Sequence, residues 1–255
     1  MSSIYVYGDS FVRDWGLPWQ WHNQLGTIAN RNVRIKGDFG VANDWIFLQF
    51  AEDIHEGIYA PGDVVILVTT NCGRYWFLKD HPTISNYANL TQFHMYKEKY
   101  GVTDEQVQAI ELYYKHIHQG YVDAFRFDAQ IAWINSMSRK LQEKNVRLCV
   151  IPGWDNFSHI QLDVNIPVVG NLVDSVSSQE FTSEKAMDEW YNRAIPDQRV
   201  NHLLADNHYE LARALATAIT SNTVLDLNNI AWKKNILNLR TEKMLANQLS
   251  PSLIR

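Results

Sequence analysis

A chain of 255 residues with 46% apolar and 20% charged side chains is long enough to close a substantial core as one domain, which excludes a disordered, collagen-like or disulfide-scaffolded protein. A net charge of -5 with acidic and basic residues intermingled supplies no electrostatic footprint for a phosphate backbone, so nucleic acid is excluded as a partner. No apolar run approaches the ~20 residues needed to span a bilayer, and Asp9 comes too early for a cationic, apolar signal peptide, so the chain is expected to be soluble and not exported by the ordinary route, with no membrane partner.

Ile4 to Tyr7 is a short β-rich run that stops abruptly in Gly8-Asp9-Ser10. The spacing predicts a strand that delivers a serine to its carboxyl end. A second run, Val33 to Lys36, leads into Phe39-Gly40-Val41, where a glycine permits close backbone approach. Trp45, Leu48, Gln49 and Glu52 follow in a helical pattern. The third run, Asp63 to Thr69, contains Val64-Val65-Ile66-Leu67-Val68 without polar alternation, as a central strand buried on both faces would. It ends in Thr70-Asn71.

Residues 72–126 are long, aromatic and mixed, and read as a helical insertion after the third strand. Within them Thr103-Asp104-Glu105-Gln106 is a capping-box start for a helix around Val107 to His118. Phe127, Ile131, Ile134, Met137 and Leu141 mark the next helix, and Val146 to Ile151 the fourth strand. Arg199-Val200-Asn201-His202 opens the last strong helix, Leu203 to Ile219. The alternation predicts an α/β fold, a central parallel sheet covered by helices. Residues 1–220 form its domain, and 221–255 a C-terminal helical extension suited to homo-oligomer assembly. Cys72 and Cys149 are too few for a disulfide framework and read as reduced thiols.

A serine at a carboxyl strand end faces the crevice in which α/β sheets bind ligands, where backbone N–H groups can meet a developing oxyanion. Gly8-Asp9-Ser10, Gly40, Asn71 and His202 recur at such positions in this order, and the four blocks resemble the SGNH (GDSL-type) hydrolase family. The resemblance implies a flavodoxin-like three-layer α/β/α fold and hydrolysis of a carboxylic ester through an acyl-serine intermediate, with no metal or organic cofactor. Carried across residue by residue, it implies Ser10 as nucleophile and His202 as general base. The Ser10 N–H, the Gly40 N–H and the Asn71 side-chain amide would form the oxyanion hole. The chemistry is coherent: a serine hydroxyl becomes a good nucleophile when an imidazole takes its proton.

Departures from the family pattern are specific. The aspartate usually found three residues before the catalytic histidine is Arg199 here, and Asp197 is the replacement candidate for orienting the imidazole. Thr69 and Cys72 stand where the third block usually has Gly and Asp. His208 is a competing base, six residues further on. His116 and His118, two apart on a helix, face away from each other and do not read as a metal site. The substrate expected is a small-molecule or carbohydrate ester, an O-acetyl group being one such target for a chain with nine Trp. The alternative is a non-catalytic SGNH-like binding or virion protein, the blocks also being similar to those of SGNH-like proteins of bacterial viruses.

Overall fold

The computed structural model describes residues 2–38, 40–77, 102–117, 120–154, 157, 160, 162–177, 203 and 205–232. In chain order these form β1 (Ser3–Gly8), α1 (Trp21–Ala29), β2 (Asn32–Gly37), α2 (Asn43–His55), β3 (Val64–Thr69) and α3 (Asp104–Leu112), which continues into a π-helical turn (Tyr113–Ile117). Then come α4 (Gly120–Glu143), β4 (Arg147–Pro152), β5 (Val168–Val169), α5 (Leu172–Ser177), α6 (Ala205–Ser221), β6 (Leu225–Asp226) and a 3₁₀ turn (Leu227–Asn229).

Strands β1 to β4 form one parallel sheet in the order β2-β1-β3-β4. Because successive side chains of a strand point to opposite faces, β1, β3 and β4 each feed two cores, while β2 packs Val33 and Ile35 against the first. Ile4, Val6, Val64, Ile66, Val68, Cys149 and Ile151 pack with Trp21 and Leu25 of α1 and Leu211 and Leu215 of α6. Tyr5, Tyr7, Val65, Leu67, Leu148 and Val150 pack with Ile46, Phe47 and Phe50 of α2 and Ile134, Met137 and Leu141 of α4. The result is the three-layer α/β/α arrangement. All six residues of β3 are buried, and each such aliphatic side chain contributes about 1.5–3 kcal/mol through burial.

One polar anchor sits inside the second core. Tyr7 Oη donates to the buried Asp53 of α2 and lies 2.6 Å from Tyr59 Oη, while Lys36 Nζ of β2 meets the other Asp53 oxygen at 2.7 Å. The carboxylate is thereby paired and hydrogen-bonded, as a buried charge must be, and α2 is fixed against β1 and β2. Desolvation raises both tyrosine hydroxyls well above their ordinary range.

Past β4, Ile166 bridges in parallel to Cys149, and β5 pairs in parallel with β6. Leu225 and Leu227 are buried in the first core. Residues 222–232, assigned by sequence to the extension, are therefore built into the layered fold; 233–255 lie outside the described residues. In the insertion the capping box is present, with Gln106 N donating to Thr103 Oγ1 and Thr103 N to the Gln106 side chain. Val102, Val107 and Ile110 form a small satellite core with Phe77 and Tyr114. Helix α4 already begins at Gly120, so residues 120–126 belong to a layer helix; residues 78–101 lie outside the described residues. Among the described residues no helix is long and apolar enough to cross a membrane.

The sheet's carboxyl edge is closed by residues 9–12 folding back over the strand ends. A Cβ at Gly8 would stand 2.4 Å from Val12 Cγ2 and 2.9 Å from Val68 Cβ, and one at Gly37 would stand 2.8 Å from Val12 Cγ1. Both glycines make room for one valine. Gly8→Ala is expected to destabilise the protein by about 1–3 kcal/mol through overpacking. In urea unfolding, adding Val12→Ala should recover part of that loss; strictly additive losses in the double variant would show that Val12 is not what the glycine accommodates.

Candidate active site

Ser10 lies immediately beyond β1. The Asp9 carbonyl accepts from Val12 N at 2.9 Å and Arg13 N at 3.1 Å, while Asp9 Oδ1 accepts from Phe11 N at 3.1 Å. Residues 9–13 are thus a single helical turn capped by its own aspartate, the arrangement favoured where Asp precedes a helical start. Ser10 occupies the first position of the turn and is 3% exposed.

The second Asp9 oxygen reaches the loop after β3. Asp9 Oδ2 accepts from Thr70 Oγ1 at 2.9 Å and from Arg74 Nη1 at 2.8 Å. Asp9 and Arg74 form an ion pair with side chains 1% and 11% exposed. A pair this buried costs several kcal/mol if one partner is removed, so the serine turn and the β3 loop are locked to each other. Asn71 lies within that loop. Its Oδ1 accepts from Gly73 N at 2.8 Å, and its carbonyl accepts from Arg74 N at 3.1 Å. With Oδ1 so engaged, the Asn71 –NH₂ is the part of the amide left to donate, and it has no acceptor among the described residues.

Two further residues hold the loop from the α2–α4 side. Asn43, the first residue of α2, accepts from Thr70 N at 2.8 Å and donates to the Thr70 carbonyl at 3.0 Å. Arg126 of α4 donates to the carbonyls of Cys72 and Arg74, each at 2.7 Å, pairs with Asp44, and lies 4.1 Å from the centre of the Tyr75 ring. Gly40 completes the edge after β2, in left-handed backbone at φ 58° just before α2. Beyond β4, the Trp154 ring has the Arg74 guanidinium 5.7 Å from its centre. The Gly153 N–H donates to the Thr69 carbonyl at 2.9 Å.

The carboxyl edge of the sheet thus gathers Ser10, Gly40 and Asn71 from three separate stretches of chain. His202, Asp197 and Arg199 lie outside the described residues. His208 is described, and its surroundings give it a different part. It is buried on α6, its Nδ1 accepts from Trp21 N at 3.0 Å, and its ring meets that of Trp19 edge to face. Desolvation, helped by His22, pushes its pKa down to about 3, against a weak opposing pull from the Leu203 carbonyl. An imidazole that is neutral with Nδ1 already accepting is a poor general base; His208 instead caps the start of α1, whose own N-cap, Gln20, makes no side-chain cap bond.

Sequence reasoning did not find Asn43, Arg74 or Arg126. The nearest signals were their spacings, three residues beyond Gly40 for Asn43 and three beyond Asn71 for Arg74. Neither Cys72 nor Cys149 is in a disulfide; burial pushes the Cys149 thiol up to about 12, which makes it inert. Among the described residues no group of three His, Cys, Asp or Glu side chains is placed to hold a metal ion.

No family model and no curated protein matches this chain. A solved structure from Desulfitobacterium hafniense DCB-2, bearing the name of a lipolytic protein of the G-D-S-L family, aligns with it at a TM-score of 0.32 and 15% identity, over 85% of this chain and 98% of that one. The reading of the site rests on its own residues.

His208 gives the site a pH signature. Its folded pKa of about 3 lies below the ordinary histidine value of 6.5, and that of His22 is lowered in the same direction by burial. Between those two pH values the unfolded chain binds more protons than the native one. Stability is therefore complete above about pH 6.5 and falls as pH drops through that window. In His208→Asn, the amide oxygen can accept from Trp21 N without titrating. Its melting temperature should fall less between pH 7 and pH 5 than that of the wild type; equal falls would contradict the assignment.

Proposed function

We propose that this protein is an SGNH-type serine esterase, cleaving a small carboxylic ester through an acyl-serine intermediate. The observation that carries the reading is the coupling of the Ser10 turn, through Asp9, to the loop that bears Asn71. A nucleophile and an oxyanion donor must keep a fixed mutual geometry to act together, because electrostatic stabilisation depends on donors already aimed before charge develops. In this reading Ser10 attacks the ester carbonyl as His202 takes its proton. The Ser10 and Gly40 N–H groups and the Asn71 amide receive the oxyanion. Protonated His202 then delivers its proton to the departing alkoxide, and water, deprotonated by His202, releases the acid.

Asp197 is the proposed orienter of His202, replacing the aspartate whose place Arg199 takes. No residue in this scheme needs a metal or an organic cofactor. An acylated carbohydrate is the substrate we favour within the class, and the aromatic content of the chain supports that choice.

A fluorophosphonate probe with peptide mapping should modify Ser10 and no other serine. With p-nitrophenyl acetate, Ser10→Ala and His202→Ala should fall to background, and Asn71→Ala should lose about two to three powers of ten in kcat. Labelling elsewhere, or one rate shared by wild type and all variants, would replace the enzyme with a non-catalytic SGNH-like binding protein.

A further inference from the structure

Arg74 is nearly buried yet sparsely bonded. A guanidinium carries five N–H donors; that of Arg74 has a side chain 11% exposed and makes one hydrogen bond, from Nη1 to Asp9. Its other N–H groups have no acceptor among the described residues. The Trp154 indole beside it is in the same condition, with a buried Nε1 that donates to nothing there. An unmet buried donor is costly, and here the Trp154 Nε1–H adjoins, through a cation–π contact, a guanidinium with N–H groups to spare, which is itself bound to Asp9, the residue before the proposed nucleophile.

All the unmet capacity of these two side chains is donor, so the matching chemical group is an acceptor. Its charge follows from the ion pair: Asp9 already balances Arg74, and a second carboxylate would lie close to the first. A neutral oxygen is the fitting partner.

We propose that Arg74 and Trp154 form a donor-lined subsite beside Ser10 that binds a neutral carbonyl or hydroxyl oxygen carried by the ester substrate. The inference rests on the esterase reading for what the substrate is, but the contacts themselves need no turnover. It makes the enzyme selective for esters with an oxygen-bearing substituent, such as those of acylated sugars or N-acylated acids, over plain alkyl esters of equal length.

The test compares p-nitrophenyl N-acetylglycinate with p-nitrophenyl valerate, whose acyl chains match in length, and with the anionic mono-p-nitrophenyl succinate. The wild type should favour the N-acetylglycinate by about tenfold or more in kcat/KM, the scale of a hydrogen bond to a charged donor. That preference should shrink in Trp154→Phe, which keeps a ring but not the N–H. It should shrink also in Arg74→Lys, which keeps the charge opposite Asp9 but not the planar fork. Equal use of the two neutral esters, preference for the succinate, or an unchanged ratio in both variants would overturn the proposal. If no ester is turned over, the esterase reading fails, and saturation-transfer NMR on the wild-type protein with N-acetylglycinamide and valeramide decides the subsite by itself. Stronger binding of the first that is lost in Trp154→Phe upholds it; indistinguishable binding overturns it.

Discussion

A carboxylate sealed from water at the end of β1 is the constraint around which the candidate site is built. Asp9 is 1% exposed, so each oxygen must be met by protein. One is used inside the serine turn, on Phe11 N, and the other is used outside it, on Thr70 and Arg74. The division matters. The inner bond gives the turn its shape, and the outer bonds fix that shape against the neighbouring loop. An uncompensated charge at this depth would be costly enough to reorganise the edge, so the turn and the loop are ordered together or not at all.

The support continues outward from that carboxylate through polar contacts rather than apolar packing. Asn43 pairs with both backbone groups of Thr70, and Arg126 collects the carbonyls of Cys72 and Arg74. Loops beyond strand ends lack the sheet's ladder, and their carbonyls must find partners elsewhere. Here the partners are side chains of α2 and α4, the two helices of one layer. The loop carrying Asn71 therefore takes its position from helices already held to the sheet by Phe47, Phe50, Ile134 and the Tyr7–Asp53 contact. Positions of functional groups set by rigid elements in this way are more exact than those left to loop conformation alone.

What was legible in the sequence follows from which interactions are local. Strands β1, β3 and β4 announce themselves because a doubly buried parallel strand needs a continuous apolar run, as Val64 to Val68 shows; the edge strand β2 is readable from the alternation of Val33 and Ile35 with polar residues, and the capping box at Thr103 because both of its bonds span three residues. Ser10, Gly40 and Asn71 were legible as ends of those strands. The Asp9–Arg74 pair was not, since its partners are 65 residues apart and nothing about an arginine in a loop says which carboxylate it will meet. The packing of residues 222–232 against the layers was not legible for a related reason. A two-residue strand such as β6 has no periodicity to detect, and only its pairing with β5 identifies it.

His208 illustrates how packing decides between roles that sequence leaves open. Two histidines six residues apart offer the same chemistry on paper. Burial of one imaged against Trp19, with Nδ1 receiving the Trp21 N–H, removes it from acid–base work near neutral pH and turns it into a clasp between α6 and α1. The same Trp21 sends its indole N–H to the Phe11 carbonyl at 2.8 Å, inside the serine turn. Two consecutive hydrogen bonds thus tie the start of the last helix to the residue following Ser10. The histidine that is unsuited to act as base is, on this argument, what holds the first turn of the last helix, through Trp21, against the turn that carries Ser10.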